Sequence, residues 1–233
     1  MDFIVTTFLT KGKDPQRELS WDKDDFSIME KFYNSIIQHD LYCLILHDNC
    51  TKEFVEKYEC KNVKFIKVKH NGLNTVDVRW GLYARLFDVF RTGRCFCCDI
   101  SDVVILKNPF NFIKQGEIYC GDEPKIIKEN GWIVKRFALM KGDDIQEMYK
   151  TYCDNIVLNA GIVGGSIEDI RNIANRINKI LLETNVTNTT VDMCAFNHVL
   201  YTYYEDKIVH GEPVNTEFRK EDVDNNICWF KHK

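Results

Sequence analysis

A strand that carries Cys95, Phe96, Cys97 and Cys98 side by side has no polar face to offer to water. Successive side chains of a strand point to opposite sides, so both of its faces must be covered. That is the situation of a strand inside a parallel sheet with helices packed on it. The run ends in Asp99. Asp102 follows, then a second apolar run, Val103 to Leu106, closed by Asn108-Pro109-Phe110. In an open α/β sheet, ligands bind outside the carboxyl ends of the parallel strands. Asp99 and Asp102 therefore stand where a ligand crevice opens. Two neighbouring carboxylates repel unless a cation lies between them or one is protonated. Mg²⁺ and Mn²⁺ take oxygen ligands of this kind and share them with a substrate's phosphates. The competing reading is a plain turn, because Asp and Ser are ordinary turn residues and Asp99 can bond its own backbone.

The pattern around this strand predicts an α/β fold. Phe3 to Leu9 is β-rich and reads as a first buried strand ending in Thr6-Thr7-Phe8. Thr10 to Asp25, with Gly12 and Pro15, reads as a loop. Phe26 to Gln38 has apolar residues at helical spacing. Leu41 to Leu46 is a second buried strand running into His47-Asp48. Thr51 to Tyr58 is a short helix with Thr51 or Asn49 as N-cap, and Val63 to Val68 alternates as a third strand. Val76 to Phe90 is a helix that carries Arg79, Trp80 and Arg85. The order β-α-β-α-β-α-β is that of a doubly wound domain with its strands ending on one edge.

Beyond Pro109 the pattern changes. Glu117 to Gly121 reads as a short strand entering Asp122-Glu123. Lys125 to Asp144 has no clear period, and Trp132 is its main anchor. Ile156-Val157-Leu158 is a strand that enters the glycine-rich Asn159 to Ser166. Ile167 to Glu183 and Val191 to Tyr203 are helices, the second with Asp192 in its first turn, where a carboxylate suits the helix dipole. Lys207 to Gly211 is a last strand and turn. The tail from Asn215 to Lys233 is polar, with Trp229 and Phe230 as docking points. A single domain over residues 1–233 is expected, with one half to about residue 110, a second over 111–211 and a tail over 212–233.

Bulk properties exclude several functions. A net charge of −4 and the absence of a basic stripe argue against nucleic acid as a partner. No apolar run approaches the ~20 residues of a membrane span, and Met1 to Val5 lacks the features of a signal peptide. Most of the ten cysteines lie in apolar runs. They read as small buried hydrophobes in a reducing, cytoplasmic setting. Cys95, Cys97 and Cys98 lack the spacing of a zinc site. The Asn49, Asn185 and Asn188 sequons read as chance matches.

Several segments together resemble the GT-A-fold nucleotide-sugar glycosyltransferases. Asp99-Ile-Ser-Asp102-Val-Val-Ile-Leu-Lys-Asn-Pro-Phe110 is similar to their acidic metal-binding motif, in a D-x-x-D form instead of D-x-D. Arg79-Trp80 resembles the Arg-aromatic pair before it. Leu158 to Gly165 resembles the N-A-G-x-x-G-G segment. Asp192 to Asn197 resembles a D-Q-x-x-x-N helix start with Met193 in place of Gln, and His210-Gly211 resembles a C-terminal His-Gly turn. The small form is similar to soluble transferase domains of large DNA viruses, especially chlorella viruses, and of some bacteria, and a viral source implies the host cytoplasm.

The resemblance implies a GT-A-like, mixed but mainly parallel sheet flanked by helices. It implies a nucleotide-sugar donor, most readily a UDP-sugar, a glycan or other hydroxyl acceptor, and Mn²⁺ or Mg²⁺ held by Asp99, Asp102 and His210. Thr6, Thr7 and Phe8 would hold the nucleoside, with Ser101 beside Asp99 on the donor. Arg79 would pair with the diphosphate, Arg85 being the competing candidate. Asn159, Ala160, Gly161 and Gly165 would let the backbone approach the sugar. Asp192 would bind a sugar hydroxyl or act as general base, Asp122 with Glu123 would face the acceptor, and Trp132 would stack on a sugar or belong to the core. A non-catalytic sugar- or nucleotide-binding module on the same fold is the alternative. A nucleotidyltransferase would need a Gly-rich basic loop after the first strand, which Thr6 to Gly12 does not supply.

Overall fold

In the computed structural model, which describes residues 1–13, 15, 20–70, 73–220 and 226–233, strands alternate with helices through the first half of the chain. Within the loop expected from Thr10 to Asp25, residues 14 and 16–19 lie outside the described residues, as do 221–225 of the tail. The strands are β1 (Asp2–Phe8), β2 (Cys43–His47), β3 (Val63–Lys67) and β4 (Arg94–Cys98). Then come β5 (Val103–Ile105), β6 (Ile118–Ile126), β7 (Ile156–Ser166), β8 (Ile208–His210) and β9 (Phe230–His232). The helices are α1 (Glu30–Gln38), α2 (Lys52–Tyr58), α3 (Arg79–Val89), α4 (Gly131–Phe137), α5 (Asp143–Tyr152), α6 (Ile167–Thr184) and α7 (Asp192–Tyr204).

Seven strands form one mixed sheet in the order β3-β2-β1-β4-β7-β6-β8. The first four run parallel, β7 runs antiparallel between β4 and β6, and β8 is parallel to β6. Alternation along β1 feeds two cores. Phe3 and Val5 pack with α3, α6 and α7 on one face, and Ile4 and Phe8 pack with α1 and α2 on the other. Cys95 to Cys98 are buried on both sides, as the unbroken apolar run requires. Cys95, Cys97 and Cys98 are buried thiols, and burial pushes those of Cys97 and Cys98 upward, which keeps them uncharged. No helix among the described residues is long and apolar enough to cross a membrane.

Three expectations are corrected. β7 is one strand of eleven residues, not a short strand followed by a glycine turn. Gly164 is there for contact, because a Cβ would collide with the Phe96 ring on the adjacent strand. The stretch from Lys125 onward resolves into α4 and α5, and Asn130 Oδ1 caps α4 by accepting the N–H groups of Trp132 and Ile133. The tail is structural. β9 pairs antiparallel with β5, the strand that follows the acidic turn, and sets His232 opposite Val103.

Phe230 anchors this arrangement. It is fully buried, with its ring 5.0 Å from that of Phe96. Phe230→Ala is expected to cost about 3–5 kcal/mol, the range for truncating a buried aromatic, and to loosen His232 with it. Denaturant unfolding measures the first effect; a loss below ~1 kcal/mol would contradict the anchoring role.

Candidate functional site

The carboxyl end of β4 opens into a cavity of ≈ 620 Å³. Asp99 and Asp102 line it from the β4–β5 turn, Asn159 to Gly161 from β7, and Glu123 and Lys125 from β6. The first residues of α3, α4 and α7 close it, and the C-terminal segment supplies Phe218, Arg219 and His232. Helices α3, α4 and α7 begin at this edge, whereas α6 begins at the opposite one because β7 runs antiparallel to β4.

Arg79 is the electrostatic centre. Its guanidinium is buried and forked between two carboxylates, Asp99 and Asp192, the latter at 2.6 Å. It also donates to the Ala160 carbonyl at 3.3 Å. Burial opposes its charge, but Asp99 and Asp192 outweigh it and hold Arg79 protonated. Asp99 is pushed upward by burial and by the neighbouring charges of Asp102 and Asp192, against Arg79. Asp192 is 2% exposed, accepts the Met193 N–H at 2.9 Å, and lies within 3.5 Å of Trp80 Nε1. Asp192 thus lines the cavity and at the same time positions Arg79. Asn197 of the same motif ties α7 to β7, accepting from Leu158 N at 2.9 Å and donating to its carbonyl at 2.8 Å.

His232 stands where His210 was expected. The side chain at residue 161 is only hydrogen, and a Cβ there would lie 2.7 Å from His232 Nε2 and 2.9 Å from Asp99 Oδ2. The imidazole and the carboxylate thus meet over Gly161. His232 is 2% exposed, and burial holds its pKa down to about 4, so the ring is neutral with a lone pair to offer. Its Nδ1 is buried and has no hydrogen-bond partner among the described residues. Asp102 joins the same corner, its carbonyl accepting the Lys233 N–H at 2.9 Å. His210, by contrast, bonds Asp122 Oδ2 at 2.9 Å through Nδ1, and neither of these two lines the cavity. The physical reason is placement: β8 lies at the far edge of the sheet, beyond β6. Among the described residues, no group of three or more His, Cys, Asp or Glu side chains is gathered closely enough to hold a metal ion. Gly161→Ala is expected to displace His232 and Asp99 at a cost of about 1–3 kcal/mol from overpacking. A thermal melt unchanged from the wild type would refute that crowding.

On β6 the neighbours Asp122 and Glu123 face opposite ways. Glu123, not Asp122, turns into the cavity, which corrects the catalytic expectation for Asp122. Glu123 accepts from Asn159 Nδ2 at 2.9 Å and Asn130 Nδ2 at 3.1 Å. Burial raises its pKa, with Asn159 and Arg219 opposing. Asn159 completes the link by accepting the Gly161 N–H at 2.8 Å. Trp132 lines the cavity partly exposed, with the Arg136 guanidinium 3.6 Å from its ring centre.

At the ends of β1 to β3 lies a second cavity of ≈ 1190 Å³, lined by Lys11, Asp48, His70, Asn74 and Arg85 among others. Asp48 is buried and its pKa is lowered. Burial opposes its charge, but the N–H groups of Thr10 and Lys11, at 2.9 and 3.1 Å, and His70 at 2.9 Å prevail. Arg85 here donates to the Lys69 carbonyl. Thr6, Thr7 and Phe8 line neither cavity. Thr6 and Phe8 are wholly buried, and Phe8 stacks on Trp21 at 5.7 Å; strand parity turns their side chains into the core. Thr7 is partly buried at the β1 edge. Gly165 pairs with Cys95 inside the sheet, away from the cavity, and Ser101 sits in the turn without lining it.

Asp77 carried no signal in the sequence. It is wholly buried, and it clamps the start of α7, accepting from Asp192 N at 3.2 Å and from Asn74 Nδ2 at 2.8 Å. Burial, with Asp192 adding, raises its pKa to about 7. The fold therefore binds a proton here that the unfolded chain releases near its ordinary value of 3.8. That contribution is complete below 3.8 and is lost as pH rises through 7. Asp77→Asn is expected to flatten the decline of melting temperature between pH 4 and 7; parallel curves for the two proteins would refute it.

The sequence matches no protein-family model, and a search of curated proteins finds no relative.

Proposed function

We propose that this chain is a metal-dependent glycosyltransferase, moving a sugar from a nucleotide diphosphate sugar to a hydroxyl of a glycan or other acceptor. UDP is the first candidate for the nucleotide. The observation that carries the reading is the meeting of Asp99 and His232 over Gly161, at the carboxyl end of β4, with Asp102 in the same turn. The Asp99 carboxylate and the His232 imidazole flank one point, and oxygen with imidazole nitrogen is donor chemistry that suits Mn²⁺. An ion there would take its remaining ligands from a substrate's phosphate oxygens. Such an ion, when bound, acts as a Lewis acid on the departing diphosphate.

The chain's own groups supply the rest. Arg79 holds a fixed positive charge beside Asp99 and steadies the phosphates as negative charge grows on them. Asn159 and Gly161 shape a floor for the sugar. Glu123 is the group suited to take the acceptor hydroxyl's proton, because burial raises its affinity for one. The second cavity, near the strand ends of β1 to β3, is the place for the nucleoside. The buried thiols of Cys43, Cys95, Cys97, Cys98 and Cys120 suit a reducing cytoplasm.

Hydrolysis of a panel of nucleotide sugars, with Mn²⁺, Mg²⁺ or chelator, tests the reading. Metal-dependent release of nucleotide, lost in His232→Ala, is the expected result. Tight donor binding without turnover, with acceptor glycans supplied, would favour a binding module on the same fold. Absence of any binding would refute the donor site.

A further inference from the structure

We propose, resting on the transferase reading, that the acceptor carries an anionic group, a phosphate or carboxylate, received by Arg219 and Lys125 at the mouth of the smaller cavity.

On the cavity floor the one positive charge of Arg79 is already engaged by Asp99 and Asp192. The mouth differs. Lys125 and Arg219 both line it, both are exposed, and neither forms an ion pair or hydrogen bond with another of the described residues. Glu123, the acceptor-side group of the proposed function, lines the same cavity. Lys125 follows Glu123 by two positions on β6, and Arg219 comes from the C-terminal segment.

Arg219 is held there. Its backbone has φ 67°, a left-handed conformation uncommon for a residue with a side chain. Such a conformation persists only where its surroundings over-determine it, and it concentrates at ligand sites. The constraint is visible in Phe218, whose ring packs edge-on against His232 at 4.8 Å. The Arg219 guanidinium in turn lies 5.1 Å from the Phe218 ring centre. The C-terminal segment thus fixes His232 toward the acidic pair and Arg219 toward the mouth. Trp132, part-exposed and lining the same cavity, gives a sugar ring a surface to stack on. A guanidinium and an ammonium that line one cavity with such a surface suit a sugar bearing an anion, and the guanidinium can bind it through two parallel hydrogen bonds.

The experiment is calorimetric titration of the full chain with a hexose 6-phosphate, a hexuronate and an uncharged methyl hexoside. Each is run with and without UDP and Mn²⁺, on the wild type, Arg219→Ala and Lys125→Ala. The charged probes are expected to bind the wild type. Each variant should weaken them by about tenfold, the loss of one charge-assisted contact, and leave the methyl hexoside and UDP unchanged. Equal binding of charged and neutral probes, no binding of the charged ones, or unaltered affinity in both variants would overturn the proposal. So would an equal loss of UDP affinity, because the two cations would then belong to the donor's diphosphate. Failure of the wild type to bind UDP would count against the transferase reading alone, since the titrations without UDP still decide the anion site.

Discussion

Arg79→Ala is expected to lower stability by about 3–5 kcal/mol, because it leaves the carboxylates of Asp99 and Asp192 without their shared counter-charge. For a chain of this size that corresponds to a fall in melting temperature of roughly 6–20 °C. If the proposed function holds, the same substitution should abolish donor binding, since Arg79 is the group that would face the phosphates. Arg79→Lys separates the two roles. An ammonium keeps one positive charge but cannot fork to two carboxylates. Part of the stability should return while the geometry at Asp99 does not. Thermal melts with calorimetry on both variants make the comparison. An Arg79→Ala protein that melts with the wild type would show that Asp99 and Asp192 find other partners or take up protons at no cost.

The second large effect belongs to Asp102→Asn. Its side chain is partly exposed, asparagine matches it in size, and the backbone carbonyl that accepts the Lys233 N–H is retained. The melting temperature should therefore fall far less than in Arg79→Ala. Metal-dependent turnover should fall on the order of 10²–10³-fold, the scale of removing one preorganised electrostatic group from a reacting centre. Manganese titration at fixed donor identifies the cause: the variant should need far more ion for half-saturation. A variant that saturates at the wild-type concentration and turns over normally would remove Asp102 from the cation's surroundings, leaving Asp99 and His232.

What the sequence determined by itself was the framework and the place of the crevice. Unbroken apolar runs such as Cys95 to Cys98 specify covered strands, and helical spacing between them specifies crossovers, because both signals are local and periodic. Asp99 and Asp102 were legible for the same reason, lying within one turn of a strand end. Tertiary structure alone decided which distant side chains join them. Arg79 meets Asp192 across 113 residues of chain. His232 rather than His210 reaches the site because β9 adds to β5, a pairing between segments with no local signature beyond the alternation of Cys228, Phe230 and His232. Glu123 rather than Asp122 faces the cavity because irregularities in the β6–β7 register fix which side each residue takes. Asp77 is a clamp only because the start of α7 folds against it. Periodicity specifies a residue's face within its own element; the element against which that face packs is set by the lowest free energy of the whole chain, and there the site was assembled.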